Sequence, residues 1–297
     1  MSGYVDAHHH IWRVRDLPWL SGPMIPRIFG PYEELRQRDY LAAEYGADAA
    51  AHGFTQSVYT QANWPLDRSV DEVEWVQSQH EETGWPSAIV GSADLFSPRA
   101  SETFDAQVAA SPLMRGCRLQ VHWHEHEAFR FAKSAEAMLD PVFNENLERI
   151  AERGWVFELQ AFPNQLPYVR ELLGNHPDLT FVIIHAGMPI EGEPWREFLH
   201  ELAQFPNLNV KLSGQGTFIH RVDPDWIRTV TQVVVDEFGS DRAVFGTNFP
   251  VESIWTDFSS LVHAWFGVLA GFPQEVQDDI LGRTARRIYR LAEEGSR

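Results

Sequence analysis

Eight short stretches of the chain alternate apolar and polar residues with period two, and most are followed by a longer stretch whose apolar residues recur every three or four positions. Period two marks strands and period 3.6 marks amphipathic helices. The strands are predicted to start at Tyr4 and then to cover 55–62, 86–94, 115–123, 155–162, 180–187, 208–213 and 243–249. Helices are predicted over 71–80, 98–110, 135–153, a segment ending at Gly174, 194–204, and from Asp223-Pro224 to Gly239, with two or three more closing the chain. Asp223 supplies a capping acceptor and Pro224 suits a first helical turn. A segment over 18–31, rich in proline and aromatic residues, is too stiff and apolar for a flexible linker; it reads as a flap that covers a rim or closes over a ligand.

The residues at the strand ends separate the two architectures that fit eight strand-then-helix units, a closed barrel and a doubly wound sheet. The last inward positions are His8 and His10, Gln61, Asp94, His122, Gln160, His185, Ser213 and Asn248. Polar side chains recur where Val, Ile or Leu would be less costly to bury, and only in a barrel do all the strand ends converge on one face. The expectation is therefore an α/β protein, a TIM (β/α)8 barrel in a single domain over 1–297. On the first strand, alternation places Asp6, His8 and His10 on one face and His9 on the other, and two imidazoles on one strand edge can share a metal ion. Glu158 and Lys211 lie one step deeper and are predicted to pair inside the barrel, since a lone buried charge is costly. Arg27 and Arg118 carry the planar fork that suits a carboxylate, against the plainer alternative of ordinary salt bridges.

Composition removes other classes of function. With 24 basic and 42 acidic residues the formal charge is -18, so nucleic acid and anionic membranes are poor partners for the surface as a whole. No apolar run reaches the roughly 18 residues of a membrane span, and no leader pattern precedes the first strand, so a soluble cytoplasmic protein is expected. The single Cys117 excludes an internal disulfide and a multi-cysteine metal site. A small-molecule substrate is the expected partner; homo-oligomerisation is left open.

Four motifs together carry a resemblance: Asp6-Ala7-His8-His9-His10, Ile183-Ile184-His185-Ala186-Gly187-Met188-Pro189, Val210-Lys211-Leu212-Ser213-Gly214 and Phe245-Gly246-Thr247-Asn248-Phe249-Pro250-Val251. In order and spacing they resemble the amidohydrolase superfamily, in the branch of sugar-acid lactonases and 2-pyrone-4,6-dicarboxylate lactonase. The resemblance implies that His8, His10 and His185 contact one divalent metal, zinc or manganese, or the substrate itself in metal-free members. It implies a hydrolase opening a lactone, with His185, His122 and Asn248 as catalytic positions and Arg27, Gln61, Asp94, Arg118, Gln160 and Ser213 as substrate-binding ones. One departure stands out: the eighth strand of such enzymes ends in an aspartate that ligates metal or takes a proton from water, and here Asn248 cannot act as that base. His122, His124 or Glu252 could replace it, and a decarboxylase or a non-hydrolytic ligand-binding barrel are the alternative readings.

Overall fold

The computed structural model of the protein describes residues 3–292. Eight parallel strands, β1 (Tyr4–His9), β2 (Phe54–Thr60), β3 (Ala88–Gly91), β4 (Met114–Arg118), β5 (Val156–Leu159), β6 (Thr180–Ile183), β7 (Leu208–Leu212) and β8 (Ala243–Phe245), pair in chain order. A parallel bridge from His9 to Phe249 joins the last strand back to the first. The closure is reinforced by Asn248 donating from its backbone to the His8 carbonyl and His10 to the Phe249 carbonyl, both at 2.8 Å. The result is the predicted single-domain TIM barrel, wrapped by helices α1 (Ala42–Ala51), α2 (Ser69–Thr83), α3 (Ala100–Ala110), α4 (Pro141–Glu152), α5 (Leu166–Asn175), α6 (Trp195–Ala203), α7 (Pro224–Phe238) and α8 (Phe258–Leu269). Among the described residues no helix is long and apolar enough to cross a membrane.

Local chemistry explains the elements. Asp223 caps α7 as expected, its Oδ1 accepting from the backbone N–H groups of Asp225 and Trp226 at 3.1 and 3.2 Å. Asp140 caps α4 in the same way, ahead of Pro141. The barrel interior is filled by compact, mostly branched side chains, among them Val5, Ala7, Val58, Val90, Val156, Val182 and Val244. A C-terminal helix, α9 (Thr284–Tyr289), plugs its lower end with Ala285, Ile288 and Tyr289. In this floor the predicted ion pair forms: Lys211 Nζ donates to Glu158 Oε1 at 2.5 Å, both groups are fully buried, and Tyr289 donates its hydroxyl to the same oxygen at 2.8 Å.

Two sequence expectations are revised. The first strand does not keep strict alternation, because its register against β2 shifts between Asp6 and His9. Val5 and Ala7 face the interior, whereas Asp6 reaches Tyr45 of α1 and Thr247 beyond β8. The irregularity then brings His8 against His10, whose Nε2 lies 3.3 Å from that of His8. Asp6 thus does not share a face with the two histidines; its carboxylate clamps the seam of the barrel, accepting from Thr247 N at 2.9 Å, Thr247 Oγ1 at 2.7 Å and Tyr45 Oη at 2.9 Å. Burial pushes Asp6 up to about 6, against those hydrogen bonds. The second revision adds α1 to the predicted helices: its buried face, Ala42, Tyr45, Gly46 and Ala49, recurs every three or four positions but is made mostly of small residues, which carry little hydrophobic signal.

Candidate active site

Above the C-terminal ends of the strands lies a cleft enclosing about 770 Å³, open to solvent at one side. Its lining includes His10, Gln61, Arg118, His122, Gln160, His185 and Asn248, so seven of the sequence-predicted positions meet there, and Arg27 reaches it from the flap. The flap is packed rather than loose. Trp19 donates its indole N–H to the Ala62 carbonyl at 2.9 Å, and His220 meets the Ile28 carbonyl at 3.0 Å. Three predicted residues stand elsewhere. His8 lies just beneath the lining and touches His10. Ser213 supports His185, its Oγ 3.0 Å from Nδ1. Asp94 is exposed and spends its Oδ1 on the backbone N–H of Phe96 at 3.1 Å, so it is not brought to the cleft. Arg130, Asn63, Gln120 and Thr217 line it without having been singled out. Asn63 and Arg130 sit on loops and Thr217 on the short helix Gly216–Ile219, where no strand periodicity marks an inward position; Gln120 shares the alternation of Arg118 and His122, which could have marked it.

The backbone holds these groups in conformations that ordinary residues avoid. His185, Ala186 and Met188 have φ of 53°, 49° and 61°, and Asn248 has 55°. Such left-handed residues outside glycine carry strain that the surrounding structure must sustain, and they cluster at functional sites. Gly214 is required for the same reason of space: at φ +67° it lies against the imidazole, and a Cβ there would stand 2.4 Å from His185 Nδ1.

Among the described residues no carboxylate lines the cleft, whereas three guanidinium groups do. Arg118 is the deepest, 5 % exposed. Its Nη2 donates to Gln160 Oε1 at 3.0 Å and its Nε has no partner. Burial lowers its pKa from 12.5 to about 10, against the distant attraction of Glu158 and Glu72, so it remains charged at neutral pH. The imidazoles respond in the opposite sense. Burial first, and Arg118 second, hold His10 and His122 down to about 3, and the same causes hold His185 well below its ordinary range. His8 is lowered too, by burial and then by Lys211. At neutral pH the cleft therefore presents a charged guanidinium ringed by neutral imidazoles.

His8 and His10 meet at their Nε2 atoms, 3.3 Å apart. His10 Nδ1 must carry its proton, because its partner at 2.7 Å is the Thr60 carbonyl, which only accepts. Its Nε2 therefore turns a lone pair toward His8. Either a proton on His8 Nε2 or a cation satisfies that lone pair. Two nitrogens bound at about 2.0–2.1 Å to one tetrahedral ion would stand about 3.3–3.4 Å apart, so the pair fits as a two-point clip. The His185 ring lies 5.0 Å from that of His8, the same separation as between the His8 and His10 rings, but among the described residues no three His, Cys, Asp or Glu side chains form a group that could hold a metal ion.

Barrel, cleft and histidine motifs place the chain in one class of protein, and comparison with known proteins specifies it. The family model described as Amidohydrolase matches residues 5–291, and the chain belongs to that family. Over 293 residues, 97% of this chain and 98% of the relative, it is 28% identical to protein y4mH of Sinorhizobium fredii. It is 27% identical to an L-fucono-1,5-lactonase of Burkholderia multivorans over 97% of this chain and 96% of that one. Among solved structures, an amidohydrolase from Burkholderia multivorans with bound zinc superposes with a TM-score of 0.81 at 24% identity, covering 98% of this chain and all of that one. A Pseudomonas putida structure described as a 2-pyrone-4,6-dicarboxylic acid hydrolase does so at 0.69 and 20%, covering 97% and 98%. These relatives bear out the branch that the motifs resemble.

Proposed function

We propose that this amidohydrolase-family enzyme is a hydrolase that opens a small lactone bearing an acidic group, or one derived from a sugar acid. One observation carries the reading: among the described residues, Arg118 is a buried, charged guanidinium with an unpartnered Nε in a cleft lined by no carboxylate. A buried charge of this kind is stabilised by an ion of opposite sign, and a guanidinium matches a carboxylate in shape as well as in charge. Binding such an anion also removes the second cause that keeps His122 and His185 neutral, so substrate charge makes both imidazoles more basic. His122, an imidazole of the cleft lining, then takes a proton from the attacking water as oxygen bonds to the carbonyl carbon. As the ring C–O bond breaks, the same imidazole returns the proton to the leaving alkoxide. Gln160 holds Arg118 in place and Ser213 holds His185. His8 and His10 would hold a divalent ion, zinc ahead of manganese for an imidazole pair, which would supply Lewis-acid polarisation of the ester carbonyl. The 27% identity to an L-fucono-1,5-lactonase supports lactone chemistry.

A panel of neutral and carboxylate-bearing lactones, beginning with L-fucono-1,5-lactone and assayed by acid release with and without zinc or manganese, tests the reading. Folded protein that opens none of them under any metal condition would overturn it. A second reading follows from the absence of any carboxylate on the cleft wall. Decarboxylation needs the acid to be held but no water to be deprotonated, and carbon dioxide release from a hydroxy-aryl acid would select it.

A further inference from the structure

Four residues beyond Asn248, on the turn Val251–Ile254, Glu252 is 1 % exposed and lies outside the cleft lining, behind the amide. Everything polar that meets its carboxylate is a donor. Asn248 Nδ2 stands 3.2 Å and Thr217 Oγ1 3.4 Å from Oε1, and Oε2 is buried with no hydrogen-bond partner among the described residues. The fit on the far side is tight, since a Cβ at Gly216 would come within 2.2 Å of Oε2. One N–H of the Asn248 amide is committed to Glu252, and the same amide lines the cleft on the side of His10.

We propose that Glu252 is a positioning residue that fixes the polarity of the Asn248 amide, so that the eighth strand offers the cleft a hydrogen-bond acceptor and not a donor. The acceptor receives a hydrogen bond from whatever donor stands there. In the hydrolase proposed above, on which this part rests, that donor is the attacking water. Oδ1 then aligns the water without removing its proton, which goes to His122. The carboxylate that an aspartate would have placed in the cleft is thereby kept one turn behind it, acting through an amide.

The test exploits the two donors on Oε1. Where the NH2 of Glu252→Gln takes the place of Oε1, it meets the Asn248 nitrogen, and the amide is expected to reverse, which turns a donor into the cleft. With the lactone found to be turned over, kcat is expected to fall about 10- to 100-fold, in the range for losing one positioned group, with KM changed less than about threefold. The double variant Asn248→Asp with Glu252→Gln restores the pattern, because the glutamine nitrogen donates to the aspartate and an acceptor again faces the cleft. It is expected to regain at least about tenfold of the lost kcat, whereas two independent structural losses would add. A readout independent of turnover is the side-chain amide of Asn248 in protein labelled with ¹⁵N-asparagine. Its NH2 protons should be downfield and slow to exchange in the natural chain and fast in Glu252→Gln. Rapid exchange in the natural chain, or a folded Glu252→Gln with unchanged kcat, overturns the proposal. Absence of any lactone turnover overturns the hydrolase reading alone and leaves the amide measurement to decide this one.

Discussion

Replacing Arg118 by methionine keeps an unbranched apolar stem in the floor of the cleft and removes the guanidinium. Two opposite effects follow. In the empty protein the charge is held at a cost, because burial has taken its pKa from 12.5 to about 10, which corresponds to about 3 kcal/mol against the charged form. Against this gain, the variant loses the hydrogen bond to Gln160, about 1 kcal/mol, and the distant attraction of Glu158 and Glu72. A net stabilisation of about 1–2 kcal/mol is expected, seen in calorimetry as a Tm rise of roughly 2–6 °C. Function moves the other way. A charge-assisted hydrogen bond contributes about 1.5–3 kcal/mol, so KM for a carboxylate-bearing lactone should rise about 10- to 150-fold with kcat little changed. Neutral lactones should be affected far less, and Arg118→Lys, which keeps the charge without the fork, should fall between. Two results would refute the reasoning. One is a variant destabilised by more than about 1 kcal/mol, which would make Arg118 a structural ion. The other is an equal loss for neutral and anionic substrates.

Two further predictions test the fold that carries the site. Lys211→Met strands the Glu158 carboxylate in the barrel floor with only Tyr289 as donor, so denaturant unfolding should show a loss of about 3–5 kcal/mol; a loss under about 1 kcal/mol would mean that Glu158 is neutral there. For the dependence on pH, the five imidazoles His8, His9, His10, His122 and His185 have folded pKa values below the ordinary 6.5, so their contribution is present above pH 6.5 and lost as pH falls, by up to about 1.4 kcal/mol per pH unit each. Asp6, Glu72 and Glu252, raised to about 6, 7 and 7, act oppositely between about pH 4 and 7, so Tm should peak near pH 6.5–7, decline gently to pH 4 and drop steeply below it; a Tm rising on acidification from pH 6.5 to 4 would show that the carboxyls outweigh the imidazoles.

The barrel was legible because the short strand segments, alternating or apolar, recur eight times with a longer helical segment after most of them, and that pattern survives any detail of packing. The strand ends were less so. Leu119, Val121, Ala161 and Phe162 are as buried as the strands before them, although they have left the hydrogen-bonded ladder, so hydrophobicity extends each strand past its true end. Asp94 was drawn into the site by that extension, lying three residues beyond β3, where the chain has already turned outward. The irregularity in β1 had no signal, since the residues it reorders are Asp6 to His9, all polar apart from Ala7. Arg118 was visible as a carboxylate fork, but an isolated sequence favours a salt bridge for any arginine. Its burial at the end of β4, with an amide oxygen as its bonded side-chain partner, reverses that preference.

The charge pattern and the amide on the eighth strand have a common physical cause. A carboxylate at position 248 would line the same cleft as Arg118 and offer that guanidinium an internal counter-ion, in competition with an anionic ligand. It would also raise the basicity of His10 beside it and favour a charged imidazole. An amide at 248 avoids both effects and leaves the guanidinium for the ligand. The buried carboxylate of Glu252 meets donors from two loops without entering the cleft. A site that uses the charge of its ligand to make neutral histidines basic must exclude permanent negative charge from its wall, and replacement of an acid by an amide at the end of β8 is the substitution that such a site requires.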